Sequence, residues 1–461
     1  MEIINIEILD SIDSRIPTDQ ANTIAPLLSC EKAYWKPSAF GSRKRTVYTK
    51  IFFNTKKKDY CYFWTGFIPR IKEYLNQNNI PVEFYSQSHC NIELFYSDLL
   101  PIKLRSDQIQ LLNQISEDKR GIILSPTGSG KTEILMGMLS SLPIDIKVLI
   151  LSHSTSINKQ TTDKIVEYHL GNVQMIGDGF KYFKFDKDIV ISTIQSFAKI
   201  DPVEYIDYFD AVIIDETHHI RSSGKQYLKV LTHILAPIRI GFTATLPSDK
   251  ESLLTMEGLL GPVIGEFSRK DAIEQGVIAM PKIKLIKLPY RHEIKELRTY
   301  KDVYEAGIVE NKGRNRVILT EAKKYLDEGL SVIIMVNRIA HGEELERLCL
   351  TVFKIPTFFI QGATPQAVRE QTKYEFINGD LSCLIVSSAW GEGINIPNAN
   401  VLINAGGGKD ELGVLQKIGR VLRKTDIKDS ALIVDFFDSS HHYLISHFGE
   451  RCCLYMEENW L

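Results

Sequence analysis

No apolar run in this sequence approaches the roughly eighteen residues that a membrane-spanning helix needs; the longest are strand-sized, such as Val332-Ile-Ile-Met-Val336. There is no C-x-x-C, and the seven cysteines, at 30, 61, 90, 349, 383, 452 and 453, are scattered. That excludes a disulfide scaffold and predicts a reduced protein of the cytoplasm. Low-complexity tracts are also missing. The first residues, Met1-Glu-Ile-Ile-Asn-Ile-Glu7, are acidic where a secretory signal is basic, so no leader is expected. A net charge of −2 leaves no global excess of cations. What remains, 44% hydrophobic and 24% charged residues over a length of 461, describes a globular chain of two or three domains.

Residues 101–265 alternate short apolar runs with helix-period segments. Strands are predicted at 121–125, 148–152, 188–192, 211–215 and 238–242, with helices such as 132–142 and 225–235. The rhythm restarts with strands at 331–336, 357–361, 383–387, 401–404 and 431–435, and helices at 315–329, 343–350, 366–378 and 412–424. Continuous apolar strands alternating with helices predict parallel sheets covered on both faces. The expected fold class is α/β: two tandem parallel-sheet domains, 101–265 and 311–461, preceded by a small α+β accessory domain, 1–100. Residues 266–310, with Pro281, Pro289 and many charges, are expected as a linker. In the accessory domain, residues 46–53 and 60–64 flank 54–59 and predict an antiparallel hairpin with a basic tip, Lys56, Lys57 and Lys58. Residues 69–78 suit a helix.

Three distant segments carry chemistry. Ser125-Pro-Thr-Gly-Ser-Gly-Lys-Thr132 follows a predicted strand and opens a helix, the setting of a phosphate-binding loop. Gly128 and Gly130 let backbone N–H groups approach phosphates at the helix N-terminus, and Pro126, Thr127 and Ser129 complete the loop. Lys131 is positioned to reach the β and γ phosphates, and Thr132 to ligate Mg²⁺. Ser125 stands where the strict pattern has glycine, and an ordinary Gly-rich turn is the alternative for the loop alone. Asp215 ends an apolar run at the C-terminal edge of a parallel sheet, where such folds bind ligands. It suits a metal held through water, and Glu216 suits the polarising of an attacking water; a helix-capping acid is the alternative. His218 is expected to link nucleotide and motor by hydrogen bonding, and His219 is left open. Gln416-Lys-Ile-Gly-Arg-Val-Leu-Arg423 puts Arg420 and Arg423 on one helical face, able to stabilise a departing γ-phosphoryl, or else forming a solvated basic face.

As an ordered set these segments resemble the superfamily 2 helicases of the D-E-x-H kind, and within that superfamily the phage UvsW-type helicases, which remodel branched DNA. The resemblance runs from Leu104 to Arg423. It implies two RecA-like motor domains that use ATP and Mg²⁺, and a protein in the host cytoplasm if phage-encoded. Gln108, in Leu104-Arg-Ser-Asp-Gln108, would read adenine. Ser152 and Thr193 fall in the strand-end segments that grip a nucleic-acid backbone. Thr243 and Thr245, with His218 and Gln416, would couple hydrolysis to movement. Asn337, Arg338 and Gly362 fall where the second domain holds the tracking strand, and Gly393 and Asn395 where it meets the nucleotide. Asn395 stands where Asp is common, and Lys417 where many relatives have Arg. The implied activity is that of a monomeric, ATP-dependent DNA helicase or translocase acting on forked and junction DNA, 3′-to-5′, with no membrane partner.

Substrate choice falls to the N-terminal region, where eleven Lys/Arg face two acids between Glu31 and Lys72. Lys56 to Lys58 precede Tyr60, Tyr62, Phe63 and Trp64, and Arg43-Lys-Arg45 follows Trp35 and Phe40. Cations mixed with aromatic faces suit DNA strands near a junction; a solvated hairpin tip over a small aromatic core fits the same residues. An RNA helicase shares the motor motifs. So does the motor subunit of a restriction enzyme, although the 38 residues after Arg423 carry no nuclease motif. A binding module with a vestigial ATPase conflicts with the intact Lys131, Asp215, Glu216, Arg420 and Arg423. His441, His442, His447, Cys452 and Cys453 match no standard zinc spacing and suit a capping tail.

Overall fold

The computed structural model describes residues 3–37, 43–52, 54–57, 59–87, 90–96, 102–177, 188–221, 224–387, 399–408, 430–458 and 460–461. The chain divides into two compact units, Met1–Ser125 with Gly130–Phe267, and Ser268–Leu461 with the loop residues Pro126–Ser129. Among the described residues no helix is long and apolar enough to cross a membrane.

The first unit opens with seven strands: β1 (Ile4–Ile8), β2 (Asp13–Pro17), β3 (Ser29–Pro37), β4 (Arg43–Ile51), β5 (Asn54–Lys57), β6 (Tyr60–Trp64) and β7 (Val82–Ser86). Five form a sheet in the order β5-β6-β2-β1-β7, antiparallel except for the β1–β7 pair. The expected hairpin needs correcting. β4 pairs along its whole length with β3, from Ser29 opposite Ile51 to Pro37 opposite Arg43, and not with β6. A nine-residue partner satisfies nine residues of backbone where the five-residue β6 cannot. The turn before β6 is tighter than expected: Lys56 and Lys57 lie in β5, and Lys58 is outside the described residues. The helix Ile68–Gln77 starts with proline in its first turn and turns Ile71 and Leu75, four apart, into the core.

The same unit contains a seven-stranded, wholly parallel sheet built from β8 (Arg120–Leu124), β9 (Val148–Ser152), β10 (Val173–Ile176), β11 (Ile189–Thr193), β12 (Ala211–Asp215), β13 (Ile238–Thr243) and β14 (Val263–Glu266), in the order β10-β11-β9-β12-β13-β8-β14. Every residue of β9, β11 and β13 is buried, as strands covered on both faces require. Register lines up the C-terminal ends of β9, β11 and β12, with Thr193 opposite Ser152 and Ile214 opposite Leu151.

The N-terminal sheet is fastened to the helix Lys250–Leu260, which follows β13. Leu254 joins the core made by Ile6, Ile16, Phe63 and Phe67. Arg70 grips Glu257 through two hydrogen bonds of 2.6 Å, and Lys50 reaches Glu251 at 2.7 Å. Gly258 lies so close to Trp64 and Phe67 that a β-carbon there would overlap both rings. Two arginines collect carbonyls from the C-terminal end of this helix and from the end of the helix Lys225–Leu231, where backbone acceptors lack helical partners. Arg239 donates to Leu231, Ile234 and Leu259 oxygens, each at 2.8 Å. Arg120 donates to Leu260 O at 3.3 Å and, across to the N-terminal sheet, to Ser11 O at 2.9 Å.

The second unit is a six-stranded parallel sheet of β15 (Met280–Lys287), β16 (Val332–Val336), β17 (Phe358–Ile360), β18 (Cys383–Ser387), β19 (Val401–Asn404) and β20 (Ser430–Phe437), in the order β15-β20-β19-β16-β18-β17. Residues 266–310 are therefore more than a linker. They contribute Glu266, the last residue of β14, to one sheet and all of β15 to the other, and β15 pairs with β20 over eight residues. A buried ion pair holds the second unit's last helix: Arg451 meets both carboxylate oxygens of Asp435, at 2.7 and 3.0 Å, and Tyr455 donates to Asp435 at 2.9 Å. His441 caps that helix, His442–Glu457, by accepting the Tyr443 N–H at 3.2 Å.

Candidate active site

The C-terminal edge of the first unit's parallel sheet collects most of the expected residues. β8 ends one residue before Ser125, whose N–H donates to Thr243 O at 2.9 Å and so ties the start of the glycine-rich loop to the end of β13. Gly130 closes the loop in the left-handed region, φ 97°, and caps the helix Lys131–Ser141; Gly128 has φ 89°. Side chains other than glycine are strained there, which explains both glycines. Within the loop, Ser129 Oγ donates to Pro126 O at 2.7 Å. Lys131 Nζ donates to Ser125 O at 3.1 Å, which keeps the ammonium over the loop. Thr132 stands in the first turn of the helix, where backbone N–H groups are exposed to an anion. Gln108 is buried; its Oε1 accepts the Arg105 N–H at 3.0 Å and its Nε2 donates to Gly130 O at 3.3 Å. It thereby braces the loop from the side.

Asp215 ends β12, and Glu216 follows in a left-handed conformation, φ 57°, that is uncommon for a residue with a side chain. Such local strain persists only where the surroundings fix it. Burial, then the adjacent Glu216 carboxylate, push the Asp215 carboxyl up to about 6; the nearby Lys131 ammonium pulls the other way. Two carboxyls this close and this dry favour a cation between them and a phosphate. That donor chemistry fits Mg²⁺, which takes one or two carboxylates, a hydroxyl, phosphate oxygens and water.

His218 Nδ1 lies 3.4 Å from Glu216 Oε2 and 3.1 Å from Thr243 Oγ1. Thr243 in turn donates to Thr245 O at 2.8 Å. Glutamate, histidine and threonines are thus in one chain of contacts. Sequence reasoning missed its extension: the His219 ring lies tilted against His218, with centroids 4.3 Å apart, and against His153, just after β9, at 3.9 Å. The two partners are 66 positions apart, and only strand order brings them together. Ser152 and Thr193 sit on adjacent strand ends with their hydroxyls turned inward: Ser152 Oγ donates to Asn158 Oδ1 at 2.6 Å, and Thr193 Oγ1 accepts the Ser196 N–H at 3.3 Å as a helix cap.

In the second unit, Asn337 and Arg338 follow β16. Arg338 is exposed and lies over the Tyr304 ring at 5.6 Å, while a β-carbon on Gly406 would meet the Asn337 side chain. Gly362 is exposed after β17, and its carbonyl accepts from Arg369. Gly393, Asn395, Gln416, Arg420 and Arg423 lie outside the described residues, as do the side chains of Lys56 and Lys57.

Comparison with known proteins accords with this arrangement. Residues 101–248 match the family model described as the res subunit of type III restriction enzymes, and residues 317–425 match the helicase conserved C-terminal domain. The ATP-dependent DNA helicase uvsW of Enterobacteria phage T4 is 25% identical over 373 residues, covering 74% of this chain and 73% of that one. The DNA 3′-5′ translocase XPB2 of Sulfurisphaera tokodaii is 25% identical over 398 residues, covering 76% of this chain and 87% of that one. Among solved structures, S. cerevisiae Dbp5 bound to RNA and ADP BeF3 superposes with a TM-score of 0.58 at 16% identity, over 78% of this chain and 88% of that one. That likeness identifies the fold: two RecA-like domains in tandem.

Proposed function

We propose that this chain, which belongs to the superfamily 2 helicases and is an ATP-dependent helicase, acts on DNA and remodels forks and junctions, moving 3′-to-5′ as a monomer. The observation that carries the reading is the gathering of contacts at one sheet edge: the glycine-rich loop is tied through Ser125 to Thr243, and Asp215, Glu216, His218, Thr243 and Thr245 follow one another in contact. It joins a place for phosphate to residues that have no use in hydrolysis alone. Support for DNA comes from the two DNA-directed relatives, a phage helicase and a 3′-5′ translocase.

In this reading Lys131 and the loop N–H groups of residues 126–132 hold the triphosphate. Thr132 and Asp215 hold Mg²⁺, which when bound screens phosphate charge and orients the γ-phosphoryl group. Glu216 accepts a proton from the attacking water, and its left-handed backbone fixes where the carboxylate points. Gln108 braces the loop and reads adenine, Gly393 and Asn395 complete the nucleotide's surroundings, and Arg420 and Arg423 stabilise the charge that develops on the γ-phosphoryl. Gln416 joins His218, Thr243 and Thr245 in coupling. Ser152, Thr193, Asn337, Arg338 and Gly362 hold the tracking strand. Ser152 and Thr193 do so by shaping the strand ends, since their hydroxyls face inward. Lys56, Lys57 and Lys58 contact DNA phosphates beside the junction.

The experiment is strand displacement on substrates with a 3′ tail, a 5′ tail or a four-way junction, with Lys131→Ala as the inactive control. ATP-dependent resolution of the junction and of the 3′-tailed duplex is expected. Displacement of the 5′-tailed duplex alone would overturn the polarity. Cleavage products instead of displaced strands would favour a restriction motor.

A further inference from the structure

We propose that the contacting pair of rings His153–His219 is a positioning element that carries the state of Glu216 to the strand end where the polynucleotide is held. The proposal rests on the nucleic-acid motor reading above and extends it to two residues that this reading leaves without a role.

Three observations support it. First, the pair sits at a junction of two strands. Leu151 of β9 is opposite Ile214 of β12, so Ser152-His153 and Asp215-Glu216 leave the sheet side by side. Second, the contacts are continuous. Glu216 Oε2 approaches His218 Nδ1 at 3.4 Å, the His218 and His219 ring centroids are 4.3 Å apart at a 40° tilt, and those of His219 and His153 are 3.9 Å apart at a 38° tilt. Third, the far end of this path is rigid. Ser152 Oγ accepts the Ser154 N–H at 3.2 Å and donates to Asn158 Oδ1 at 2.6 Å, and Ser154 is the N-cap of the helix Thr155–Glu167. His153 stands between these two serines in the chain, next to the start of that helix.

The chemistry suits a relay better than catalysis. His219 is separated from Glu216 by His218. Close contacts between rings transmit position without transferring a proton, because close-packed side chains occupy discrete arrangements and not a continuum. When Glu216 changes its partners during turnover, His218 and then His219 are pressed against or released from His153. The helix Thr155–Glu167 and the β9 end register that change.

The test compares His153→Ala, His219→Ala, the double variant and His153→Phe with the wild-type protein. ATP turnover is measured without polymer and with a titrated synthetic four-way DNA junction, after equal melting temperatures have been established for the variants used. The expected result is polymer-free turnover within about twofold of wild type, junction-stimulated kcat lower by about tenfold, and half-saturating junction concentration nearly unchanged. The double variant should be no worse than either single one, since both break one contact. His153→Phe, which keeps a ring face in place, should recover most of the stimulation. Stimulation equal to wild type in both alanine variants would overturn the relay while leaving the motor reading intact. So would a loss of polymer-free turnover equal to the loss of stimulated turnover, which marks damage to the nucleotide site, or failure of His153→Phe to recover. Absence of any stimulation in the wild-type protein would remove the motor reading and the relay with it.

Discussion

Asp215 is the residue at which stability and function oppose each other. Its carboxyl is pushed from an ordinary 3.8 up to about 6, so between these values the folded protein binds more protons than the unfolded chain. Stability contributed by this group therefore falls as pH rises through that window and stays at the lower level above it. Asp215→Asn should remove the slope and raise the melting temperature at pH 7 by roughly 2–5 °C, while abolishing turnover. Millimolar Mg²⁺ should stabilise the wild-type protein and not this variant; calorimetry across pH 4 to 8 checks both. An unchanged pH slope in the variant would show that the strain lies elsewhere. Glu216 is proposed to act on the next step. Glu216→Gln should bind ATP normally, as read by a fluorescent analogue, yet turn over about a hundredfold more slowly. Normal turnover would remove Glu216 as the general base. The sequence disclosed both acids because an apolar strand ending in Asp-Glu has few other uses. It could not disclose the left-handed backbone at Glu216 or the His153 ring, since each depends on what the sheet brings alongside.

The helix Lys250–Leu260 is the element on which the first unit is organised. One face packs on the N-terminal sheet and its C-terminal carbonyls are held by Arg120 and Arg239. Glu257→Ala would leave Arg70 without its bidentate partner at a site that is 7% exposed on the glutamate side; the cost should be about 1–3 kcal/mol. Gly258→Val is expected to be worse, because its side chain would enter the Trp64 and Phe67 rings. Limited proteolysis should then release the N-terminal sheet first, and a cleavage pattern identical to wild type would count against this attachment. At this scale the sequence was legible where strands are covered on both faces: β8, β9, β11, β12 and β13 announce themselves as continuous apolar runs. Several strands at the sheet margins did not, among them β10, β14 and β15, although the edge strand β17 was expected at 357–361. β15 reads Met-Pro-Lys-Ile-Lys-Leu-Ile-Lys, half exposed and lysine-rich as an edge strand should be, and so passed for linker. The β3–β4 pairing was lost for a different reason, since residues 54–59 offered a nearer turn than the true partner strand.

As a whole molecule the chain is a helicase motor with an added N-terminal sheet fixed to its first RecA-like domain. This architecture was readable from the order of motifs along the chain. The preferred polymer was not, because backbone-gripping motifs carry little information about base or sugar. The central claim is that ATP turnover is geared to branched DNA. Steady-state ATPase rates should be measured without polymer and with single-stranded DNA, duplex DNA, a four-way junction and RNA, each at matched nucleotide and salt concentration. Turnover stimulated most by the junction, well above duplex and RNA, is the predicted result. Stimulation by RNA equal to or greater than that by the junction would contradict the claim.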